Sequence, residues 1–347
     1  MTRPLRIGLI GVGGIAARHR EGYLAGGADV VALADVHAPT LAARGGTWGV
    51  TRTHGDYREM LAAGDLDAVS ICAPTAVHHP ATLAAAAAGV HVLCEKPLAL
   101  DLAQADEMIA ACREAGVLLM VNHQLRSHPA GDLAKRMLAR GDLGVLTHVR
   151  LRQAHDWAGE ARVRASFATR ALAGGGTLLD NGCHLMDLAR YLGGDVAEVF
   201  ARVARRKFEA EVEDTAHVSL AFASGAIGTV EAAWTATGWE EAWWLYGTEG
   251  TFEYTNRHGE PVARHAHRTS PGTTWGATDV TEYRFGGHDA HVRNVLAFLE
   301  AVRGDRPVAC TGEDGREAVR LILASYASAE QGRPVSATAS FEPLLPS

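Results

Sequence analysis

Leu5–His19, LRIGLIGVGGIAARH, is the stretch that decides the fold of the first third of the chain. An apolar run, IGLI, enters glycines at Gly11, Gly13 and Gly14 and passes into residues suited to a helix, which reads as strand, tight turn, helix. Gly11, Gly13 and Ala16 fit the spacing G-x-G-x-x-[GA]. The first glycine permits the turn, the second lets backbone approach a pyrophosphate, and the small third residue lets the helix pack on its strand. Phosphates would sit where Gly14 and Ile15 open the helix, on N–H groups at the positive end of its dipole. A second apolar run, DVVALAD, ends in Asp35, at about the 20-residue spacing where an acid takes the adenosine ribose hydroxyls. A carboxylate there repels a 2′-phosphate, and no arginine follows in DVHAPT, so NAD is expected over NADP.

Strand and helix patterns keep alternating downstream. DAVSICAP reads as a buried strand, HPATLAAAAAG as a helix, VHVLCEKP as a strand, LDLAQADEMIAACREAG as a helix opened by Asp101, and VLLMVN as a strand. Such alternation predicts a doubly wound parallel sheet, which binds ligands at the carboxyl ends of its strands. APTAVHH and CEKP fall at such ends.

Composition narrows the function classes. The chain has 347 residues, 47% hydrophobic, which suits two domains, and its net charge of −7 without any basic run argues against nucleic acid. No apolar stretch reaches the roughly 18 residues of a membrane span. Five scattered cysteines without a CxxC fit a reduced, cytoplasmic protein. Of 33 basic residues only Lys96, Lys135 and Lys207 are lysines, which draws attention to each of them.

A second stretch raises a chemical question. In Gly174–Gly194, GGGTLLDNGCHLMDLARYLGG, leucines recur at helical intervals, yet Asp180, His184 and Asp187 share another face at i, i+4 and i+7. A solvated face is the bland explanation of that stripe.

Taken together, the glycine motif, APTAVHHP, CEKPLA, LRSHP, the Gly174–Gly194 stretch, LYGTEGTFEY and HVRNVLAFLEAV resemble the Gfo/Idh/MocA oxidoreductases over nearly the whole chain. The resemblance implies an NAD-binding Rossmann domain, residues 1–122, and a substrate-binding and oligomerising α/β domain, residues 123–347, with a large open, mostly antiparallel sheet. It implies a small carbohydrate or polyol substrate and self-association as a homodimer or homotetramer. It places Thr75 and His78 beside the cofactor, Glu95 on the nicotinamide-side ribose, and Lys96 on both the cofactor and the reacting hydroxyl. Pro97 is expected to follow a cis peptide bond. Asp180 and His184 match the family's catalytic pair, Asn122 falls in a loop expected to touch substrate, and His155 and Trp157 end a strand expected to do the same. His123, His128 and Asp187 receive no role from it.

The chemistry agrees with that assignment. Oxidising a secondary alcohol sends a hydride to the nicotinamide and a proton to a base, and an imidazole has the right basicity. Asp180 could orient the His184 ring or hold a neighbouring hydroxyl, and the Lys96 cation could stabilise the developing alkoxide. The leading expectation is an NAD-dependent oxidoreductase acting on a secondary ring hydroxyl of a sugar, sugar derivative or inositol-like cyclitol. Two alternatives are a redox-elimination enzyme that cleaves a glycoside through a transient keto-sugar, and a non-catalytic dinucleotide sensor. Beyond Leu146 strand-like runs suggest an antiparallel meander, residues 256–280 read as a long polar loop in which His265 and His267 make no metal site, and two helices near 290–303 and 313–331 close the chain.

Overall fold

The computed structural model describes residues 3–156, 169–170, 174–257, 259–268, 278–287 and 289–344. Trp157, expected to touch substrate, lies outside the described residues. The chain forms two compact units, Met1–His128 with His288–Val319, and Pro129–Gly287 with Arg320–Ser347.

In the first unit, β1 (Arg6–Ile10), β2 (Asp29–Ala34), β3 (Thr53–His54), β4 (Ala68–Ile71), β5 (His91–Cys94) and β6 (Leu119–Val121) form one sheet. Its order is β3-β2-β1-β4-β5-β6, and all its pairs are parallel. Between the strands run α1 (Ala16–Ala25), α2 (Ala38–Trp48), α3 (Tyr57–Ala62), α4 (Thr75–Ala87) and α5 (Leu102–Glu114). Parallel strands covered on both faces must be apolar throughout, which explains why β4 is buried at every position. Order reverses between β1 and β4, so the crevice at their carboxyl ends is the natural ligand position.

The second unit contains α6 (Pro129–Arg140), β7 (Leu146–Ala154), α7 (Thr177–Gly193), β8 (Val196–Ala204), β9 (Thr215–Phe222), β10 (Ile227–Ala233), β11 (Glu240–Gly247), β12 (Gly250–Arg257), β13 (Glu260–Arg268) and β14 (Thr278–Arg284). With β15 (Val335–Ser336) these strands build a nine-stranded sheet ordered β14-β13-β12-β11-β7-β10-β9-β8-β15. The sheet is mostly antiparallel but not a meander, because β7 sits in its middle and pairs in parallel with β10. The polar loop expected over 256–280 is a second departure, since β13 lies within that span and β14 begins at its end. The charged and histidine side chains of β13 hid it, because a strand with few apolar residues lacks an apolar signature.

The closing helices are α8 (Ala290–Arg303) and α9 (Gly312–Gln331). The expected boundary put both with the second sheet. Instead α8 joins the first unit, where Val295, Phe298 and Leu299 share one apolar cluster with Ile7 and Tyr23. That packing follows burial of an amphipathic helix rather than chain order.

Candidate active site

In the first unit the glycine turn has the expected geometry. Gly11 has φ +82°, and a Cβ there would lie 2.7 Å from the Ala73 nitrogen, so only glycine fits. Gly13 and Gly14 face open space within 4 Å. Helix α1 starts with no side-chain cap and no acid in its first turn. Uncapped N–H groups beside open glycines suit a pyrophosphate. Asp35 is fixed beside them, with Oδ2 accepting the Val12 N–H at 2.8 Å and Oδ1 accepting the His37 N–H at 2.8 Å. These residues fit a dinucleotide.

The CEKP segment follows β5. The Lys96–Pro97 peptide is cis, as expected from the resemblance. Glu95 is buried, and Oε1 accepts from His19 Nε2 at 2.8 Å and from the Asn122 amide, while Oε2 accepts the Lys96 N–H at 3.2 Å. Burial pushes its carboxyl up, but the His19 hydrogen bond and the charges of His19, His291 and Lys96 hold it at about 2. Glu95 is therefore an anion throughout the physiological range.

Two expected ligand contacts are used internally instead. His78 is buried, with Nδ1 at 2.8 Å from the Pro97 oxygen and Nε2 at 3.0 Å from the Ala73 oxygen. It ties the Ala73 and Pro97 turns together, while Thr75 stands half-buried as the first residue of α4. Asn122 is fully buried, donates to Glu95 and accepts from Asn294 Nδ2 at 2.6 Å, so both ends of its amide are taken. Spacing could not show this, because Asn294 is distant in sequence. His123 is buried too, and burial together with the charge of Arg293 lowers His128 to about 4.

In the second unit α7 answers the question of the stripe. Asp180, His184 and Asp187 are all buried, at 9%, 5% and 1% exposure, so the solvated-face reading fails. A buried acid near a helix start is often only a cap, but the cap here comes from elsewhere. Glu213 accepts the Gly176 N–H at 3.1 Å, the Leu178 N–H at 2.9 Å and the Tyr326 hydroxyl at 2.8 Å. A Cβ on Gly176 would lie 1.9 Å from the Glu213 oxygen, which explains a glycine before the helix. Asp180 is therefore not the cap of this helix, and its Oδ2 accepts the Trp234 indole N–H at 3.3 Å. His155 lies 3.2 Å from Asn181 Oδ1 and stacks on Trp239 with ring centroids 5.0 Å apart. The second unit therefore joins His155 to α7 through Asn181, and it adds Asn181, Trp234 and Glu213, which sequence reasoning missed.

Further groups surfaced only in three dimensions. Burial lowers His291, on which the charges of Glu95 and Lys96 also act. Glu241 accepts from Gln153 Nε2 at 2.8 Å, and its burial raises its carboxyl to about 7. His265 and His267 stack at 5.4 Å on β13, and no group of three or more metal-ligating side chains occurs among the described residues.

Comparison with known proteins places this geometry. Residues 5–123 match the model of the oxidoreductase family with NAD-binding Rossmann fold, and residues 132–253 match that of the GFO/IDH/MocA C-terminal domain. The chain is 31% identical to the myo-inositol 2-dehydrogenase of Thermotoga maritima over 95% of its length and 98% of the relative's. It is 32% identical to the 1,5-anhydro-D-fructose reductase of Ensifer adhaerens, over 94% and 97%. The WlbA dehydrogenase of Bordetella pertussis, solved with NADH and UDP-GlcNAcA, superposes with a TM-score of 0.81 at 25% identity, covering 97% of this chain and all of that one.

Proposed function

Because the chain belongs to the Gfo/Idh/MocA family of NAD-binding oxidoreductases, we propose that it moves a hydride between NAD and a secondary ring hydroxyl of a sugar, sugar derivative or cyclitol. The buried Asp180–His184 stripe, on a helix already capped by Glu213, is the observation that carries this reading. The names of the relatives, one acting on an inositol and one on an anhydro-sugar, support the substrate class.

His184 takes the hydroxyl proton, while Asp180 orients that ring or holds a neighbouring hydroxyl. Lys96 stabilises the alkoxide as it forms. NAD, when bound, accepts the hydride. Gly11, Gly13, Gly14 and Ile15 hold its phosphates, Asp35 its adenosine ribose, with Thr75 alongside, and Glu95 its nicotinamide-side ribose. The two oxygens of Asp35 match a ribose diol and repel a 2′-phosphate, which favours NAD over NADP. His155 contacts substrate beside Asn181.

The same reading includes self-association and a cytoplasmic setting. One sheet face carries half-exposed Arg150, Arg152, Glu231 and Glu240 in mutual ion pairs, with Arg150 over Trp244, a flat charged surface that a second copy would complement. No disulfide links the cysteines among the described residues, and no helix among them is long and apolar enough to cross a membrane.

Purified protein with NAD, screened against inositols, monosaccharides, glycosides and nucleotide-sugars, tests the function. NADH absorbance should appear with at least one ring polyol. Tight NAD binding without turnover on any of them would count against it.

A further inference from the structure

We propose that His19 is a positioning residue for the cofactor site, holding the Glu95 carboxylate in one orientation so that dinucleotide affinity depends on it through Glu95. The proposal rests on the reading of Glu95 as a contact to the nicotinamide-side ribose.

His19 lies on α1, the helix that leaves the glycine turn, and it is wholly buried. Its Nε2 is 2.8 Å from Glu95 Oε1, and its Nδ1 is 2.9 Å from Ser70 Oγ. Ser70 Oγ is in turn 2.6 Å from the Tyr23 hydroxyl. With the Nε2 proton given to Glu95, Nδ1 accepts from Ser70, and Ser70 accepts from Tyr23, so each proton in this chain points toward the carboxylate. Asn122 donates to the same Oε1, held by Asn294, which accepts from Ser127 Oγ at 2.7 Å.

The two oxygens of Glu95 are therefore unequal. Oε1 is committed to the interior by an imidazole and an amide. Oε2 receives the Lys96 N–H at 3.2 Å and keeps acceptor capacity for a hydroxyl. A carboxylate turned about its last bond would exchange these roles, and His19, together with Asn122, opposes the turn. Helix α1 is thereby linked to the Glu95–Lys96 segment by a side chain one turn after the phosphate-binding glycines. The basic residues that act on Glu95 are His19 from α1, His291 from α8 and the adjoining Lys96. His19 is hydrogen-bonded to it through its ring.

Substitutions of graded reach separate positioning from packing. His19→Asn is too short to reach Glu95 but keeps a polar group near Ser70, whereas His19→Gln is long enough to donate to Oε1. Dissociation constants for NAD and AMP, with melting temperatures, are measured on both, together with Tyr23→Phe and Glu95→Gln. AMP carries the adenosine end without the nicotinamide side. His19→Asn should weaken NAD roughly ten- to hundredfold, the loss of a charge-assisted hydrogen bond, and leave AMP within about threefold of wild type. His19→Gln should restore NAD to within about threefold, and Tyr23→Phe should lower the melting temperature while leaving NAD affinity alone. If Glu95→Gln weakens NAD but His19→Asn does not, or if a folded His19→Gln binds NAD as poorly as His19→Asn, the positioning role is overturned. An AMP loss in His19→Asn equal to its NAD loss would assign the effect to the glycine turn and overturn it as well. Unchanged NAD affinity in Glu95→Gln would instead overturn the reading of Glu95, and the proposal with it.

Discussion

Glu95 in the first unit and Glu213 in the second are both buried carboxylates, and their partners set them to opposite tasks. Glu95 meets an imidazole, an amide and nearby cations, which hold it at about 2. Glu213 accepts two backbone N–H groups and a phenol, and burial raises its carboxyl above the ordinary range. A carboxylate met by hydrogen-bond donors and a nearby lysine stays charged and useful to a ligand. One that closes a helix terminus becomes architecture, and the cap of α7 does not fall to Asp180, one turn on.

The largest stability effect should fall on the architectural member. Glu213→Ala strips three donors of their acceptor, each worth about 1–3 kcal/mol when left buried and unsatisfied, so a loss of roughly 3 kcal/mol or more is expected. Denaturant midpoints measure it. A loss below about 1 kcal/mol would mean that the start of α7 is held by something else, and the contrast with Glu95 would fail.

A third buried acid sharpens the comparison through pH. Glu241 is raised to about 7 by burial, with the Gln153 amide its one hydrogen-bond donor among the described residues. Its folded value lies above its unfolded one, so its contribution is fully present below about pH 4.5 and is lost as pH rises toward 7. Glu241→Gln should match wild type near pH 4.5 and exceed it at pH 8 by about 3 kcal/mol, read from melting curves. Equal stability of the two proteins at pH 8 would place Glu241 among ordinary solvated acids.

The smallest effect concerns the first unit's other acid. Asp35→Ser removes the charge that repels a 2′-phosphate, and the NADP to NAD ratio of kcat/KM should rise about tenfold, or about 1.4 kcal/mol. A wild-type enzyme that already prefers NADP would contradict this role.

The sequence was most informative where function depends on neighbours along the chain. The glycine turn, the strand–helix alternation and Asp35 follow from local spacing, and the α7 stripe from helical periodicity. Groups held by remote residues were invisible. Asn122 looked like a loop residue open to substrate until Asn294 and Glu95 took its amide, and His78 looked like a cofactor contact until burial set its ring between the Pro97 and Ala73 carbonyls. The helix start at Gly176 gave no sign of Glu213, because no local rule predicts a cap from another strand connection. Strand β13 was read as loop because alternation of charge with small residues leaves no apolar face to recognise.

The central claim is that His184 removes the proton, and kcat of His184→Ala on an identified substrate tests it most directly. At saturating substrate and NAD, kcat should fall roughly 10²–10⁴-fold, the usual size of a general-base contribution. NAD affinity and melting temperature should stay near wild type. A folded His184→Ala enzyme that keeps near wild-type kcat would contradict the claim and leave the buried stripe of α7 a feature of packing.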